Sequence, residues 1–422
     1  MNVLWLSHHV PYPPTGMGVL QRSYNLIREL AREHRVYLLA LIQPRLLKDV
    51  LRDPVRGLDE GYAHLREFCA EVTFLSIPSE QATYGQQLLA AKSLLTRDPY
   101  SINWLKSAEM WDAARQWRDR YHFDLVHFDI IGLAHYLPLF SSYATTLDHH
   151  NIESHLMLRR AEGERNLLKR GYFWQEGVRL ARYEARMCPK FDLHLTCSAL
   201  DTTRLHERLP HLNVAEIPNG VDTSYFTADG REPEPNSLIF AGNLSWYPNA
   251  AAMLFFAEQV WPLLRAAIPD VTMHLVGANP PAKLTELATQ DPRFKVHGFV
   301  PDVRVYLNRA AVYVCPIMDG GGTKLKVLDG LAMDKPMVAH PIACEGIQVI
   351  DGETVLFART PEDYVKHIST LFRDSALRAR MGAAARDFVE RTYSYASIGR
   401  KLRQAMEECS KRKSQQKSRA AS

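Results

Sequence analysis

Residues 2–8 (NVLWLSH), a turn at 11–18 (PYPPTGMG), and residues 35–42 (RVYLLALI) decide the fold class. The first and last are almost wholly apolar, short, and bounded by turn formers. Between them Leu20, Tyr24, Leu26, Ile27 and Leu30 recur at helical spacing as far as Glu33. A strand that stays apolar at successive positions is buried on both faces, which happens where helices cover a parallel sheet. The stretch therefore reads as strand, helix, strand in one such sheet.

The rhythm continues. Strands are expected at 72–77, 124–128, 144–147, 192–197 and 214–217, with helices between. The long charged stretch 153–187 reads as two helices broken near Gly163 or Gly171. A polar, proline-bearing segment, 227–236 (TADGREPEPN), is the best linker candidate. Beyond it the alternation restarts with strands at 237–241, 271–276, 295–297, 311–315 and 336–339, and helices from about Asn249 and from Thr323. The fold class is α/β, with two doubly wound domains, residues 1–226 and 237–382, hinged at the linker and facing a cleft. Ligands in such folds sit beyond the carboxyl ends of the strands. Residues 411–422 read as a frayed basic tail, with contact to an anionic membrane as the other reading.

The sharpest local signal is residues 315–332 (CPIMDGGGTKLKVLDGLA). A buried strand ends, three glycines follow, and Thr323 is placed to cap a helix. Glycines let backbone amides approach an anion, and a helix N-terminus adds partial positive charge. Lys324 and Lys326 in the first turn oppose the helix dipole unless an anion is near, which points to a phosphate site; solvated lysines on a plain loop are the alternative. Asp329, less than two turns on, is close enough to accept ribose hydroxyls. A Walker A loop is absent, and Gly16 with Gly18 is an incomplete GxGxxG, with Gln21 at the third glycine position.

With 46% hydrophobic residues the chain is too apolar for disorder, and a net charge of +4 over 422 residues does not mark a nucleic-acid binder. The N-terminus has no basic region before its apolar run, and no stretch reaches the ~18 apolar residues of a membrane span, so a cytoplasmic protein is expected. Six scattered cysteines with no CxxC pair read as reduced thiols, several in the core. His149 and His150 are neighbours on a strand and point to opposite faces; no third ligand at useful spacing is visible, and no metal site is expected. Arg159, Arg160, Lys169, Arg170, Arg179, Arg182 and Arg186 make 153–187 the most basic folded stretch. They either form a solvated helix face or attract an anionic acceptor or lipid phosphate. Tyr172, Phe173, Trp174 and Tyr183 are core or an acceptor surface.

Taken together, six pieces resemble the retaining GT-B glycosyltransferases of the GT4-like group. They are Pro13, Pro14, Thr15 and Gly16 with Arg22; 148–154 (DHHNIES); 217–222 (IPNGVD); 240–249 (FAGNLSWYPN); 297–302 (HGFVPD); and the glycine-lysine-aspartate helix. The resemblance implies two Rossmann-like domains, the C-terminal one holding a nucleotide-diphosphate sugar, UDP- or GDP-linked, and a last helix (about 383–410) crossing back to the first. It places Gly242 and Asn243 beside the donor, and Gly298, Phe299 and Val300 at the base. Gly321, Gly322 and Thr323 fall at the diphosphate, and Asp329 at the ribose. Gly16, with Gly18 beside it, comes near the phosphate and sugar, and His150 borders the sugar. The acceptor is a glycan, a lipid-linked species or a small molecule, with possible contact at the cytoplasmic membrane face.

Three departures from the family pattern stand out. Gly321 replaces the first acid of a Glu-x7-Glu pair, Asp329 replaces the second, and Asn243 occupies an arginine position, with Tyr247, Pro248 and Asn249 in place of the lysine region. Lys324 and Lys326 are then the groups left to stabilise the departing diphosphate in a same-face, retaining transfer. No Asp-x-Asp motif is present, no cofactor is implied, and a metal-free reaction is expected. The alternatives are a non-catalytic nucleotide-sugar-binding protein and a GT-B-fold epimerase.

Overall fold

Asn2–Ser7 (β1) and Arg35–Ile42 (β2) are the two strands read above, in parallel register from Asn2 opposite Arg35 to Ser7 opposite Ala40. A computed structural model describes residues 1–14, 18–50, 53–319 and 323–421. The chain divides into Met1–Pro218 with Ile398–Ser422, and Asn219–Ser397.

In the first unit Glu71–Ser76 (β3), Leu125–Phe128 (β4), Ala144–His149 (β5), Leu193–Thr196 (β6) and Val214–Glu216 (β7) complete a seven-stranded sheet of order β3-β2-β1-β4-β5-β6-β7. Every pairing is parallel. Leu4, Leu6, Leu39, Leu41, Val126, Phe128 and Leu147 form part of its core. The order runs outward from β1 in one direction and from β4 in the other, so the strand order reverses between them. The stretch 153–187 breaks at Gly163, giving helices Glu153–Gly163 and Leu167–Met187. Asn166 sets the restart, its side-chain oxygen accepting from the amides of Leu168 and Lys169. Gly171 stays helical.

The second unit holds Ser237–Ala241 (β8), Thr272–Val276 (β9), Phe294–Gly298 (β10), Val312–Cys315 (β11), Met337–Ala339 (β12) and Leu356–Phe357 (β13). They pair in parallel as β10-β9-β8-β11-β12-β13, reversing between β8 and β11. Sequence pattern does not reveal β13, whose two residues are too few to carry a period. Ile239, Leu275, Val312, Val314, Val327, Leu328 and Val338 lie in the core.

Three expectations about organisation are corrected. The segment 227–236 is not the junction; it belongs to the second unit, where Glu234 accepts from Arg309 at 2.7 Å and its amide donates to the Arg309 carbonyl at 2.8 Å. The chain passes between units at Pro218 and again at Ser397. The helix Ser375–Thr392 stays with the second unit, so the returning segment starts at Ile398 rather than near 383. The tail does not fray: Tyr395–Ala421 is one helix, with Ile398, Leu402, Met406 and Cys409 buried. Arg403 donates to the Glu29 carbonyl at 2.7 Å and Lys413 pairs with Asp192 at 2.9 Å. Lys411 and Arg412 sit four residues after Glu407 and Glu408, a spacing that supports a helix at its exposed end. Among the described residues no helix is long and apolar enough to cross a membrane. All six cysteines are free and buried.

Candidate functional site

Each unit gathers polar groups where its strand order reverses, the position at which open α/β sheets leave a crevice. In the second unit, the Gly242 amide donates to the Val276 carbonyl at 2.9 Å and the Gly277 amide to the Gly298 carbonyl at 2.8 Å. Three glycines thus line the carboxyl ends of β8, β9 and β10. A Cβ at Gly277 would overlap the Gly242 carbonyl oxygen, so this approach is closed to other residues. Gly298 has φ +66° and open space around it. Phe299 beside it is 67% exposed, whereas Val300 packs on the core. Asn243 is used locally: its side-chain oxygen accepts from the Ser245 amide at 2.9 Å and its carbonyl from Asn249 at 2.7 Å. An Asx turn therefore stands where the resemblance leads one to expect a basic group.

Across the reversal, the helix expected from Thr323 begins at Leu325, and Lys324 is its extended N-cap residue with no side-chain cap. Thr323 does not cap it; its hydroxyl is buried without a hydrogen-bond partner among the described residues. Burial of Val327, Leu328 and Leu331 against the core sets the helix register in place of a cap. The two lysines diverge. Lys324 is 3% exposed, its ammonium 3.9 Å from Glu345. Lys326 turns to β8: its Cε would lie 2.8 Å from a Cβ on Gly242, and its ammonium is 5.1 Å from the Trp246 ring centre. Tyr247 donates to Asp319 at 3.0 Å, tying the loop after β8 to the loop after β11. Burial lowers the Lys326 pKa, and burial pushes the Asp329 carboxyl up to about 7, with Lys326 partly offsetting it from three residues away. Gly321 and Gly322 lie outside the described residues.

The first unit's reversal holds a buried histidine-aspartate cluster. Asp129 follows β4, its amide fixed to the Leu6 carbonyl at 3.0 Å. Its carboxylate takes Ser7 at 3.0 Å, Ser23 at 3.1 Å, His8 at 3.1 Å and His150 at 3.2 Å. Arg22 grips Asp148 through Nε at 2.9 Å and Nη2 at 3.0 Å, and donates to the Ile217 carbonyl at 2.8 Å. Burial alone would lower the His150 pKa, but the charge and hydrogen bond of Asp129 outweigh it and raise it. Asp129 in turn is held well below the usual carboxylate range, because His150 and His8 outweigh its burial. For His8 and His9 burial wins, and both are lowered. Glu153, beside His150, is raised to about 7 by burial and by the charge of Glu184.

Asp129, Ser7 and Ser23 are the members that sequence reading missed. Nothing local marks them, though a polar residue directly after a buried strand is the one usable signal. Gly16 lies outside the described residues; Gly18 opens the helix Gly18–Ala31 and is exposed. His149 and His150 do point apart. The expectation that His149 has no third ligand is corrected, because the fold brings Cys188 and His194 to it, their ligand atoms all within 4.8 Å. Hydrogen bonds already engage both imidazoles: His149 Nε2 meets His194 Nδ1 at 3.0 Å, and His194 Nε2 meets the Cys188 carbonyl at 3.0 Å. His8, His9 and Asp129 form a similar group.

Residues 235–374, inside the second unit, match the family model of glycosyl transferases group 1. Among solved structures, the chain is similar to sucrose-phosphate synthase from Thermosynechococcus elongatus: 15% identity, TM-score 0.65, covering 97% of this chain and 99% of that one. It is also similar to Anabaena HepE in complex with UDP, at 14% identity and TM-score 0.64, covering 97% and 100%. TarM aligns at 11% identity and TM-score 0.62 over 96% and 98%. At these identities the likeness shows the fold. A Klebsiella pneumoniae protein described as an uncharacterized 44.6 kDa protein in the cps region is 20% identical over 169 residues, 38% of this chain. The chain spans 44% of that relative's length.

Proposed function

We propose that this chain, whose second unit carries a glycosyl transferases group 1 domain, is a glycosyltransferase. In this reading it moves a sugar from a nucleotide-diphosphate sugar to a glycan, lipid-linked or small-molecule acceptor, with retention and without a metal. The observation that carries the reading is the close approach of Lys326 to Gly242 where β8 and β11 diverge, at the start of a helix preceded by Thr323, whose hydroxyl has no hydrogen-bond partner among the described residues. A cation, a close backbone approach and a spare hydroxyl are what a diphosphate requires. That HepE is seen with UDP and with UDP-glucose supports a uridine donor.

The Gly298 backbone then takes the base, Asp329 the ribose, and Thr323 with Gly321 and Gly322 the diphosphate. Lys324 and Lys326 stabilise charge building on the leaving phosphate, and His150 borders the sugar. The leaving phosphate oxygen accepts the acceptor's proton as the acceptor attacks the same face. Ammonium groups supply the charge a metal would otherwise bring, and Asp129 is already engaged by four side chains.

The test is release of free nucleotide from uridine, guanosine and adenosine diphosphate sugars, with and without EDTA, and proton NMR of the product's anomeric coupling. Lys324→Ala and Lys326→Ala together should lower kcat by about 10²–10³, as loss of a preorganised oxyanion donor does. Full turnover in the double variant refutes the role of the lysines. The second reading, a nucleotide-sugar binder without turnover, draws on Asn243, whose side chain is committed to its own turn. Binding without release in every donor would favour it.

A further inference from the structure

In the first unit, Arg97, Arg179, Arg182, Arg186 and Tyr183 line a pocket of about 360 Å³. Three of the arginines come from one face of the helix Leu167–Met187, at positions spaced three and four apart. Two are fixed. Arg179 donates to the carbonyls of Thr96 and Asp98, and Arg186 reaches Asp98 at 2.9 Å with its guanidinium 5.1 Å from the Tyr183 ring centre. Tyr183 is buried and floors the pocket. Asp98 is the carboxylate in contact with these groups, and it is shared with Lys106 at 2.9 Å. Arg97 and Arg182 make no hydrogen bond or ion pair among the described residues, and both are exposed.

Four arginines line this concavity, and Asp98 is already shared by Arg186 and Lys106, which leaves two guanidinium forks without a partner among the described residues. Guanidinium forks match the paired oxygens of a phosphate, and a phosphate with several free oxygens can use more than one at once. The chain leading into Arg97 carries exposed apolar side chains. Leu94 and Leu95, three and two residues before Arg97, are 54% and 92% exposed. Tyr84 and Leu88, on the same segment, are exposed too. Apolar side chains flanking a cluster of arginines suit a phosphate that arrives on a hydrocarbon chain.

We propose that this pocket binds a phosphate group carried by a lipid. The inference does not depend on the transferase reading, and its readouts are binding rather than turnover. The full-length protein is sedimented with phosphatidylcholine vesicles that contain or lack phosphatidic acid, and is titrated with soluble glycerol phosphate by calorimetry. Binding to the phosphatidic acid vesicles should fall at least tenfold in Arg97→Ala/Arg182→Ala, with an unchanged circular dichroism spectrum. Arg165→Ala/Arg170→Ala, which removes the same charge outside the pocket, should leave binding intact. Leu94→Ser/Leu95→Ser should weaken vesicle binding and spare glycerol phosphate. Equal losses in the two arginine pairs, or no vesicle binding at all, would overturn the pocket as a phosphate site. If glycerol phosphate binds as tightly as the vesicles and the leucine variant is neutral, the lipid source is overturned.

Discussion

Asp329 has a carboxyl group whose charge is balanced near neutral pH, because burial lifts it to about 7. Unfolded, it titrates near 4, at roughly 3.9. A carboxyl raised on folding contributes most to stability below its unfolded pKa, and that contribution is lost as pH climbs through the folded value. Urea denaturation should therefore show Asp329→Asn gaining on the wild type between pH 5 and pH 8. Nucleotide binding should run the other way, since a ribose hydroxyl is better accepted by the ionised form. Calorimetry should find UDP binding tightening from pH 6 to pH 8 in the wild type, and staying flat and about tenfold weaker in Asp329→Asn. A pH-independent affinity in the wild type would remove Asp329 from the ribose. At His150 the sign is set by Asp129. In Asp129→Asn the imidazole loses its counter-charge, so its pKa should drop below the ordinary 6.5 instead of lying above it. Imidazole NMR shifts measure this directly. Asp129→Ala should cost about 3–5 kcal/mol in denaturation, since two serines and two histidines lose their shared acceptor.

At the scale of elements, strands were the legible part. β2 and β8 have the limits that their apolar runs mark, because a strand buried on both faces leaves no polar position to blur its ends. Helix starts were less legible. Thr323 satisfies the rule for a cap, yet the helix begins two residues later, because packing of Val327, Leu328 and Leu331 fixes the register. The glycines and lysines of the second unit's site were visible as local chemistry. Asp129 was not, since its partners come from β1, the following helix and β5, and such contacts leave no local pattern. Gly277 and Gly298 allow a test of strand-end geometry. Gly277→Ala must move the Gly242 carbonyl and should destabilise the protein by at least about 2 kcal/mol, with loss of nucleotide binding. Gly298→Ala meets open space and bears the positive φ alone, so it should cost about 1–2 kcal/mol. Thermal melts with and without UDP separate the two, and equal effects would mean that the close approach at Gly277 is not tight.

For the whole molecule, the division into two units means that unfolding need not be a single transition. The returning segment offers a selective handle. Ile398, Leu402, Met406 and Cys409 are buried in the first unit, at about 1.5–3 kcal/mol for each large apolar side chain. Their sum is comparable to the stability of a domain. Deleting 398–422 should melt the first unit at ambient temperature, by loss of its calorimetric transition, while UDP still binds to the second. Loss of both together would mean that the units fold as one.

The cysteines bear on how such experiments can be read. All six are buried, and burial pushes Cys69, Cys197 and Cys409 up to about 12 and Cys315 up to about 11. A thiol held neutral and out of water is inert to maleimides, so the native chain is a blank background for chemical labelling. A single cysteine introduced at an exposed site, such as Arg182, would take a fluorophore by itself, with none of the native six removed. Conversely, the rate at which those six become alkylated in dilute denaturant clocks the opening of whichever unit holds them: Cys69, Cys188, Cys197 and Cys409 for the first, Cys315 and Cys344 for the second.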